Sequence, residues 1–372
     1  MYFTEFFNQF PWVVLPLQTF IGVIVSIYIH PGLIYLSHIK KLNVLPGGRS
    51  AHTVGTSVLG GVGIFFVFLI TTISAFLANG SITSPLIFLA LIMALFVMFF
   101  IGLKDDIMGI SPSKKVVVQL SVVAVYLWVS QNLIGNFGTL FGVGTLPGWV
   151  TWPFTLFVYV LGVNAYNLID GVDGLAGGVG TLAILYFGIS FIMMEDYEWA
   201  FVSFGALGGI LGFLRFNLSG KRRIFMGDNG SMFLGFLLVS ISLHYLYSPF
   251  GKSGAALGHD IISVVALFGY PLVDVARVFL IRVKNGNSPF QADKNHLHHF
   301  LLELGLSHRQ ITMVVVGYTI ILVLVANSMT SINVNISMVV ILLLGVMVAI
   351  LPSIVHRNAN RILVRLPWVH GR

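Results

Sequence analysis

Cysteine is absent from the 372 residues, which rules out disulfides, thiolate metal sites and a cysteine nucleophile. Charge is scarce: Asp, Glu, Lys and Arg together make up 9% of the chain. No GxxxxGK[ST] stretch occurs, so there is no P-loop to cradle a nucleotide. No serine sits in a nucleophile-elbow context, which argues against a Ser–His–Asp hydrolase. The start does not read as a secretory leader. Residues 1–11 carry no Lys or Arg, and the first apolar run is a full membrane span without a small-residue cleavage site. What is present is apolar: 57% of residues are hydrophobic and the mean hydropathy is +0.94. Soluble domains of this size do not have that composition. The expected fold is an all-α, polytopic integral membrane protein, a single domain over 1–372. The net charge of +7 does not point to nucleic acid as a partner, because the basic residues are scattered between apolar runs.

A span needs about 20 apolar residues. About eleven runs qualify, near 12–36, 57–78, 85–103, 116–133, 152–169, 175–194, 199–216, 231–248, 258–283, 311–329 and 335–355. Pro31-Gly32 is expected to kink the first, and Gly269-Tyr270-Pro271 to break the ninth. Residues 134–150, IGNFGTLFGVGTLPGWV, are too glycine-rich for a helix and read as a short β-hairpin or loop outside the bilayer. Lys40, Lys41 and Arg49 share one side with Lys104, Lys114 and Lys115, with Arg215, Lys221, Arg222 and Arg223, with the basic residues around the ninth span, and with the arginines of the tail. The other side holds Lys252 together with Glu195, Asp196 and Glu198. The positive-inside rule then puts the N-terminus outside and the C-terminus in the cytoplasm.

Against that apolar background, residues 164–178 read NAYNLIDGVDGLAGG. Asn164, Asn167, Asp170 and Asp173 recur every third position at the end of an apolar run. Such groups are costly to desolvate and mark a site by default. Three residues turn a helix by about 300°, so all four converge only if the helix ends near Gly171. Gly171 and Gly174 permit that break. A splayed helix end with carboxylates and backbone N–H groups around a cavity suits a metal ion and phosphate groups.

Three further clusters fall on the same expected cytoplasmic side. In IGLKDDIMGISPSKK (101–115), Asp105 and Asp106 point about 100° apart on a helix, so one faces a cavity while the other is oriented by a lysine or by a supporting group. Two adjacent carboxylates repel unless a cation sits there; the bland alternative is an interfacial cluster with Lys104 as partner. In NLSGKRRIFMGDNGS (217–231), Asp228 sits in a glycine turn that either presents a carboxylate to a cation or caps the next helix. In KNGNSPFQADKNHLHHF (284–300), His296, His298 and His299 read as phosphate or sugar contacts. Asp274 and Arg277, three apart, are expected to pair on one helix face. Several carboxylates on glycine turns at a membrane surface suit magnesium-assisted phosphoryl transfer.

With these clusters in order, the sequence resembles the polyprenyl-phosphate N-acetylhexosamine-1-phosphate transferases (glycosyltransferase family 4). The resemblance runs from about Arg49 to His299 and rests on KDDIMGISPSKK, NAYNLIDGVDGLAGG, FMGDNGS and ADKNHLHH. It implies transfer of an N-acetylhexosamine-1-phosphate from a UDP-sugar to undecaprenyl phosphate, giving the lipid-diphosphate-sugar and UMP and starting a cell-envelope polysaccharide. It also implies a Mg2+ requirement (or Mn2+), a bacterial inner membrane, a cytoplasmic active site, and a homodimer among the allowed assemblies. By position in the motifs, Asp105 and Asp106 match the family's paired aspartates at the lipid phosphate. Asp170, Gly171 and Asp173 match the nucleotide and metal region, Asp228 a metal ligand, and Asn167 and Asn217 polar contacts near the nucleotide. His296, His298 and His299 match the motif that meets the diphosphate or sugar. ADKNHLHH resembles the N-acetylglucosamine branch rather than the UDP-MurNAc-pentapeptide branch. TVGTSVLGG at 53–61 lacks the prolines and arginine that many members carry before Leu-Gly-Gly.

Direct attack by the lipid phosphate and double displacement through an aspartate both fit these residues. A secondary transporter is the rival from another class. Its polar residues are expected near the bilayer midplane, whereas here they gather at one face.

Overall fold

The computed structural model describes residues 10–44, 56–79, 82–220, 222–247, 253–286 and 296–347. The helices are α1 (Pro11–Ile39), α2 (Gly60–Asn79), α3 (Pro85–Met108), α4 (Pro112–Ser130), α5 (Gly148–Leu168), α6 (Leu175–Met193), α7 (Tyr197–Asn217), α8 (Gly227–Tyr247), α9 (Gly254–Leu267), α10 (Gly269–Lys284), α11 (Leu297–Glu303), α12 (His308–Ser328) and α13 (Val334–Met347). Eight of them are long and apolar enough to cross a membrane, or nine if the bent pair α9–α10 is one span. The protein is therefore an all-α, multi-pass membrane protein. Each of the eleven expected runs overlaps a described helix, with residue 248 and residues 348–355 lying outside the described residues.

Burial orders the bundle. In α8 and α7, 89% and 83% of the apolar window is enclosed by other helices, against 28% in α1 and in α4, so α8 and α7 form the centre. α8 packs against α2, α3, α5 and α6, while α7 packs against α1, α2 and α6. Aromatic side chains fill the seams. Phe65 of α2 stacks on Phe99 of α3 with centroids 4.3 Å apart and meets Phe233 of α8 edge-on at 5.2 Å. Lipid offers apolar side chains much the same surroundings as a protein core, so polar side chains add helix-to-helix links. Gln18 Nε2 donates to Phe201 O (2.9 Å) and Ser26 Oγ to Gly209 O (3.1 Å), joining α1 to α7.

Three local expectations are refined. α1 runs unbroken through Pro16 and Pro31. The ninth run does break: α9 and α10 meet at 69° around Phe268, and Pro271 lies in the first turn of α10, where its missing N–H costs nothing. Between α4 and α5, the expected hairpin is reduced to one antiparallel bridge, Asn136 to Thr145, closing a short 3-10 turn at Leu140–Gly142. The described strands are two-residue pieces, β1 (Asn43–Val44) and β2 (Thr56–Ser57), paired antiparallel, and Ser57 also bridges Ile224 just before α8.

Candidate active site

The site is built on the turn between α5 and α6. α5 ends at Leu168, and Gly174, with φ at +83°, starts α6 in a left-handed conformation that side chains disfavour. Tyr166 Oη donates to Ala176 O (2.7 Å), tying the two helices together behind the turn. Asn217, at the end of α7, accepts from Gly174 N–H (2.5 Å) and donates to Ile224 O (2.8 Å). Asn217 is thus buried behind the turn, where it joins it to the segment that leads into α8.

The helix break brings Asn167, Asp170 and Asp173 to one region, as their spacing requires, but Asn164 does not join them. Its amide turns away to Gln119 Oε1 (2.8 Å) and to Val160 O (2.6 Å). Asn164 lies inside α5, a full turn before the break, so helical phase still governs it.

Asp105 and Asp106 divide their work. Asp106 accepts from Asp228 N–H (2.9 Å), Asn229 N–H (3.0 Å) and Asn229 Nδ2 (2.6 Å). Both its oxygens therefore cap the N-terminus of α8, where unpaired N–H groups and the helix dipole favour a carboxylate. Asn229 also donates to Val58 O (2.9 Å). Asp105 instead accepts from Ile110 N–H (2.5 Å) and pairs with Lys115. The same Lys115 ammonium pairs with Asp228 Oδ2, so one cation links α3, α4 and α8. The other Asp228 oxygen accepts from Asn167 Nδ2 (2.9 Å), which also reaches Ser231 Oγ (2.7 Å).

Asp170 lies within the field of three more carboxylates. Burial first, then the charges of Asp228, Asp106 and Asp173, push its carboxyl well above the ordinary range, with the Gly227 N–H pulling the other way. Among the described residues, no three carboxylates or imidazoles already stand as a ligand set around one point. A cluster of hard oxygen donors whose charges raise one another is nevertheless the chemistry that suits a divalent cation.

Asp173 is buried and faces α12. Its Oδ2 is 3.2 Å from His308 Nδ1, its N–H donates to the same nitrogen (3.1 Å), and Thr312 Oγ1 donates to its carbonyl (3.0 Å). Arg223 lies farther off, at 4.0 Å. The histidine segment lies against the same turn, at Gly171. Asp274 pairs with Arg277 (3.5 Å), as their spacing predicts. It also holds His296 Nδ1 (2.8 Å) and caps α11 through Leu297 N–H (2.9 Å). That anchor seats His298 against Gly171: a β-carbon on Gly171 would stand 2.7 Å from His298 Nε2. Burial, with His299 adding to it, depresses His298 to about 3, and its Nδ1 has no hydrogen-bond partner among the described residues. His299 lies against it, with ring centroids 4.4 Å apart.

This geometry can be set beside known proteins. Residues 88–246 match the model of glycosyl transferase family 4. The chain is 30% identical over 315 residues to the probable undecaprenyl-phosphate N-acetylglucosaminyl 1-phosphate transferase of Bacillus subtilis, covering 83% of each protein. The chain belongs to glycosyl transferase family 4. The decaprenyl-phosphate N-acetylglucosaminephosphotransferase of Mycobacterium tuberculosis is 33% identical over 294 residues, 73% of this chain and 71% of that one. The undecaprenyl-phosphate alpha-N-acetylglucosaminyl 1-phosphate transferase of Escherichia coli is 32% identical over 223 residues, 58% of each.

Within this family 4 chain, three groups at the site escaped the sequence reading. The sequence reading counts Lys115 with the topology-setting lysines, leaves the lysine that orients the aspartate pair unnamed, and offers Lys104 only as partner in an interfacial cluster. Lys104 is exposed, one residue before Asp105, whereas Lys115 begins α4 beneath the site. A lysine just after Ser-Pro, in the first turn of the helix that follows the aspartates, was the available signal. His308 carried no motif. Asp274 was matched to Arg277, but nothing local pointed to its hold on His296.

Proposed function

We propose that the protein transfers N-acetylglucosamine-1-phosphate from UDP-N-acetylglucosamine to undecaprenyl phosphate on the cytoplasmic face of a bacterial inner membrane. The products are undecaprenyl-diphosphate-N-acetylglucosamine and UMP. The observation that carries this reading is the pairing of one Lys115 ammonium with both Asp105 and Asp228, whose second oxygen accepts from Asn167, beside the Asp170–Gly174 turn. The names of the B. subtilis, E. coli and M. tuberculosis relatives support the sugar and the lipid class.

An oxygen of the lipid phosphate attacks the β-phosphorus of the sugar nucleotide. The new P–O bond forms as the bond from that phosphorus to the bridging oxygen breaks, and the bridging oxygen leaves with the electron pair as UMP. The lipid phosphate is largely dianionic at neutral pH, since its second pKa is about 6, so it needs alignment more than a base. Lys115 stands between Asp105, matched to the lipid-phosphate side, and Asp228, matched to the metal side, and would offer its charge to either phosphate. Asp105 and Asp106 are already committed to Lys115, to the Ile110 N–H and to the α8 N-terminus, which favours direct displacement over a covalent aspartate intermediate. Asp228, with Asp170 and Asp173, would hold Mg2+. When bound, the ion neutralises diphosphate charge as a Lewis acid. The buried His298, kept neutral, offers a hydrogen bond rather than a charge to the diphosphate or sugar.

The test is label transfer by purified protein from UDP-N-acetylglucosamine to undecaprenyl phosphate, with UMP release followed in parallel. Metal-dependent labelled lipid with equimolar UMP is expected, and Asp228→Ala abolishes it. Transfer only from another UDP-N-acetylated sugar would change the substrate. No transfer from any UDP-sugar by folded protein would end the enzymatic reading.

A further inference from the structure

Beside the Asp170–Gly174 turn, α7 and α12 line a groove of about 810 Å³. That volume lies in the range of small-ligand sites. Leu211, Leu214 and Met313 form its apolar wall, and Arg215 and Arg309 stand at its mouth. No carboxylate is among its described lining residues. Arg309 Nη2 donates to Leu218 O (2.7 Å), which fixes one guanidinium at the end of α7. Arg215 is exposed in the last turn of α7, and Arg309 in the first turn of α12. Both helices are long and apolar enough to cross a membrane, so the arginines sit where their stems lie in the bilayer and their heads reach the phosphate layer.

The groove also borders the catalytic turn. Leu218 fills the space beside Gly174, with its Cδ2 2.6 Å from where a β-carbon would be. Thr312, another lining residue, holds the Asp173 carbonyl. Whatever fills the groove therefore presses on two side chains that pack on the turn, Leu218 at Gly174 and Thr312 at Asp173.

We propose that the groove binds an anionic phospholipid, with its phosphate between Arg215 and Arg309 and an acyl chain along Leu211, Leu214 and Met313. The bound lipid holds Leu218 and Thr312 against the turn and so promotes turnover. Charge complementarity selects this occupant: two cations stand at headgroup depth above an apolar wall, with no acidic group among the described lining residues to repel a phosphate. The activity arm of the test rests on the proposed transferase reaction, whereas the binding arm does not.

The binding arm is native mass spectrometry of the full chain, titrated with phosphatidylglycerol and, separately, phosphatidylcholine. One tight phosphatidylglycerol per chain is expected, and phosphatidylcholine binds more weakly. Each arginine near an anionic surface carries about a fivefold share of affinity, so Arg215→Ala with Arg309→Ala weakens phosphatidylglycerol by about thirtyfold. Met313→Trp, at an exposed position, blocks the groove without touching the core and is expected to lower binding as well. In the activity arm, phosphatidylglycerol nanodiscs raise kcat several-fold over phosphatidylcholine nanodiscs. Both variants lose that rise while keeping the phosphatidylcholine rate. Equal binding of the two lipids, or unchanged phosphatidylglycerol affinity in both variants, would overturn the proposal. So would stoichiometric displacement of phosphatidylglycerol by undecaprenyl phosphate, which would assign the groove to the lipid substrate. If binding behaves as expected but no transfer is seen in any lipid, the transferase reading fails and the lipid site stands.

Discussion

Gly171→Ala isolates the seat of His298 from every charge in the site. Gly171 has no left-handed φ, so alanine costs it no backbone strain there. The added methyl would stand 2.7 Å from His298 Nε2 and 3.3 Å from its Cε1. Optimal carbon contacts lie near about 3.5 Å, so the ring must retreat by several tenths of an ångström. It has little room to do so: His298 is buried, packs parallel to His296 with centroids 5.6 Å apart, and lies 4.4 Å from His299. Overpacking of this kind costs about 1–3 kcal/mol, which as lost positioning is about 5- to 150-fold in rate. The assay is UMP release at saturating donor and acceptor, with thermal unfolding as the fold control. The expected result is a rate loss in that range with a small change in unfolding temperature. In a His298→Ala background, the same change at 171 is expected to add almost nothing, because the clash has lost its partner. Full activity in Gly171→Ala, or losses that simply multiply in the double variant, would refute the assignment of His298 to this seat.

Lys115→Met removes the cation shared by Asp105 and Asp228. Activity is expected to fall by at least about a hundredfold, and a rate within threefold of the parent would remove Lys115 from the site. Asp106→Asn keeps the shape but loses the negative cap on α8. The unfolding temperature is expected to drop, by about 0.5–2 kcal/mol of stability, and an unchanged temperature would argue against the cap. Asp170→Asn relieves a carboxyl that its neighbours disfavour in the ionised form. Because its folded pKa lies above the unfolded value, ionisation costs stability as pH rises past the ordinary carboxylate range. The variant is expected to unfold at a higher temperature than the parent at pH 7 in EDTA, and to be inactive; a lower temperature would contradict the repulsion. His298 has the opposite sign. Its folded value of about 3 lies below 6.5, so the unfolded chain binds the extra proton and stability falls as pH drops from 6.5 towards 3. His298→Gln should flatten that fall in unfolding temperature between pH 7 and 5, and an unchanged slope would count against it.

The parts of the site carried by contiguous stretches are legible in the sequence. The helix break after Asn167 follows from polar residues spaced by three beside two glycines, and the α9–α10 bend follows from Gly-Tyr-Pro. What the sequence withheld were partners distant in the chain. Lys115 meets Asp228 across 113 residues, and His308 meets Asp173 across 135. Such pairs are decided by which helices pack together, and no local period records that. The same limit explains Asp106. Two adjacent aspartates on one helix end look equivalent in sequence, and only the approach of α8 makes one of them a cap. Asn164 erred the other way: its spacing fits the pattern, but it sits one turn too early to escape the helix.

The turn that carries Asp170 and Asp173 has a history during synthesis. Its sequence leaves the ribosome well before the chain that fastens it. Asn217 comes first, then Asp228 at the head of α8, then His298, and last His308 and Thr312. Translation is vectorial, so a nascent chain with α5 and α6 already inserted still lacks the residues that hold the turn in place. The half-made protein is then expected to be inert in the membrane where it is built, with competence arriving as α12 is threaded in. A chain that stops short of residue 308 should accumulate as a lipid-embedded but idle bundle.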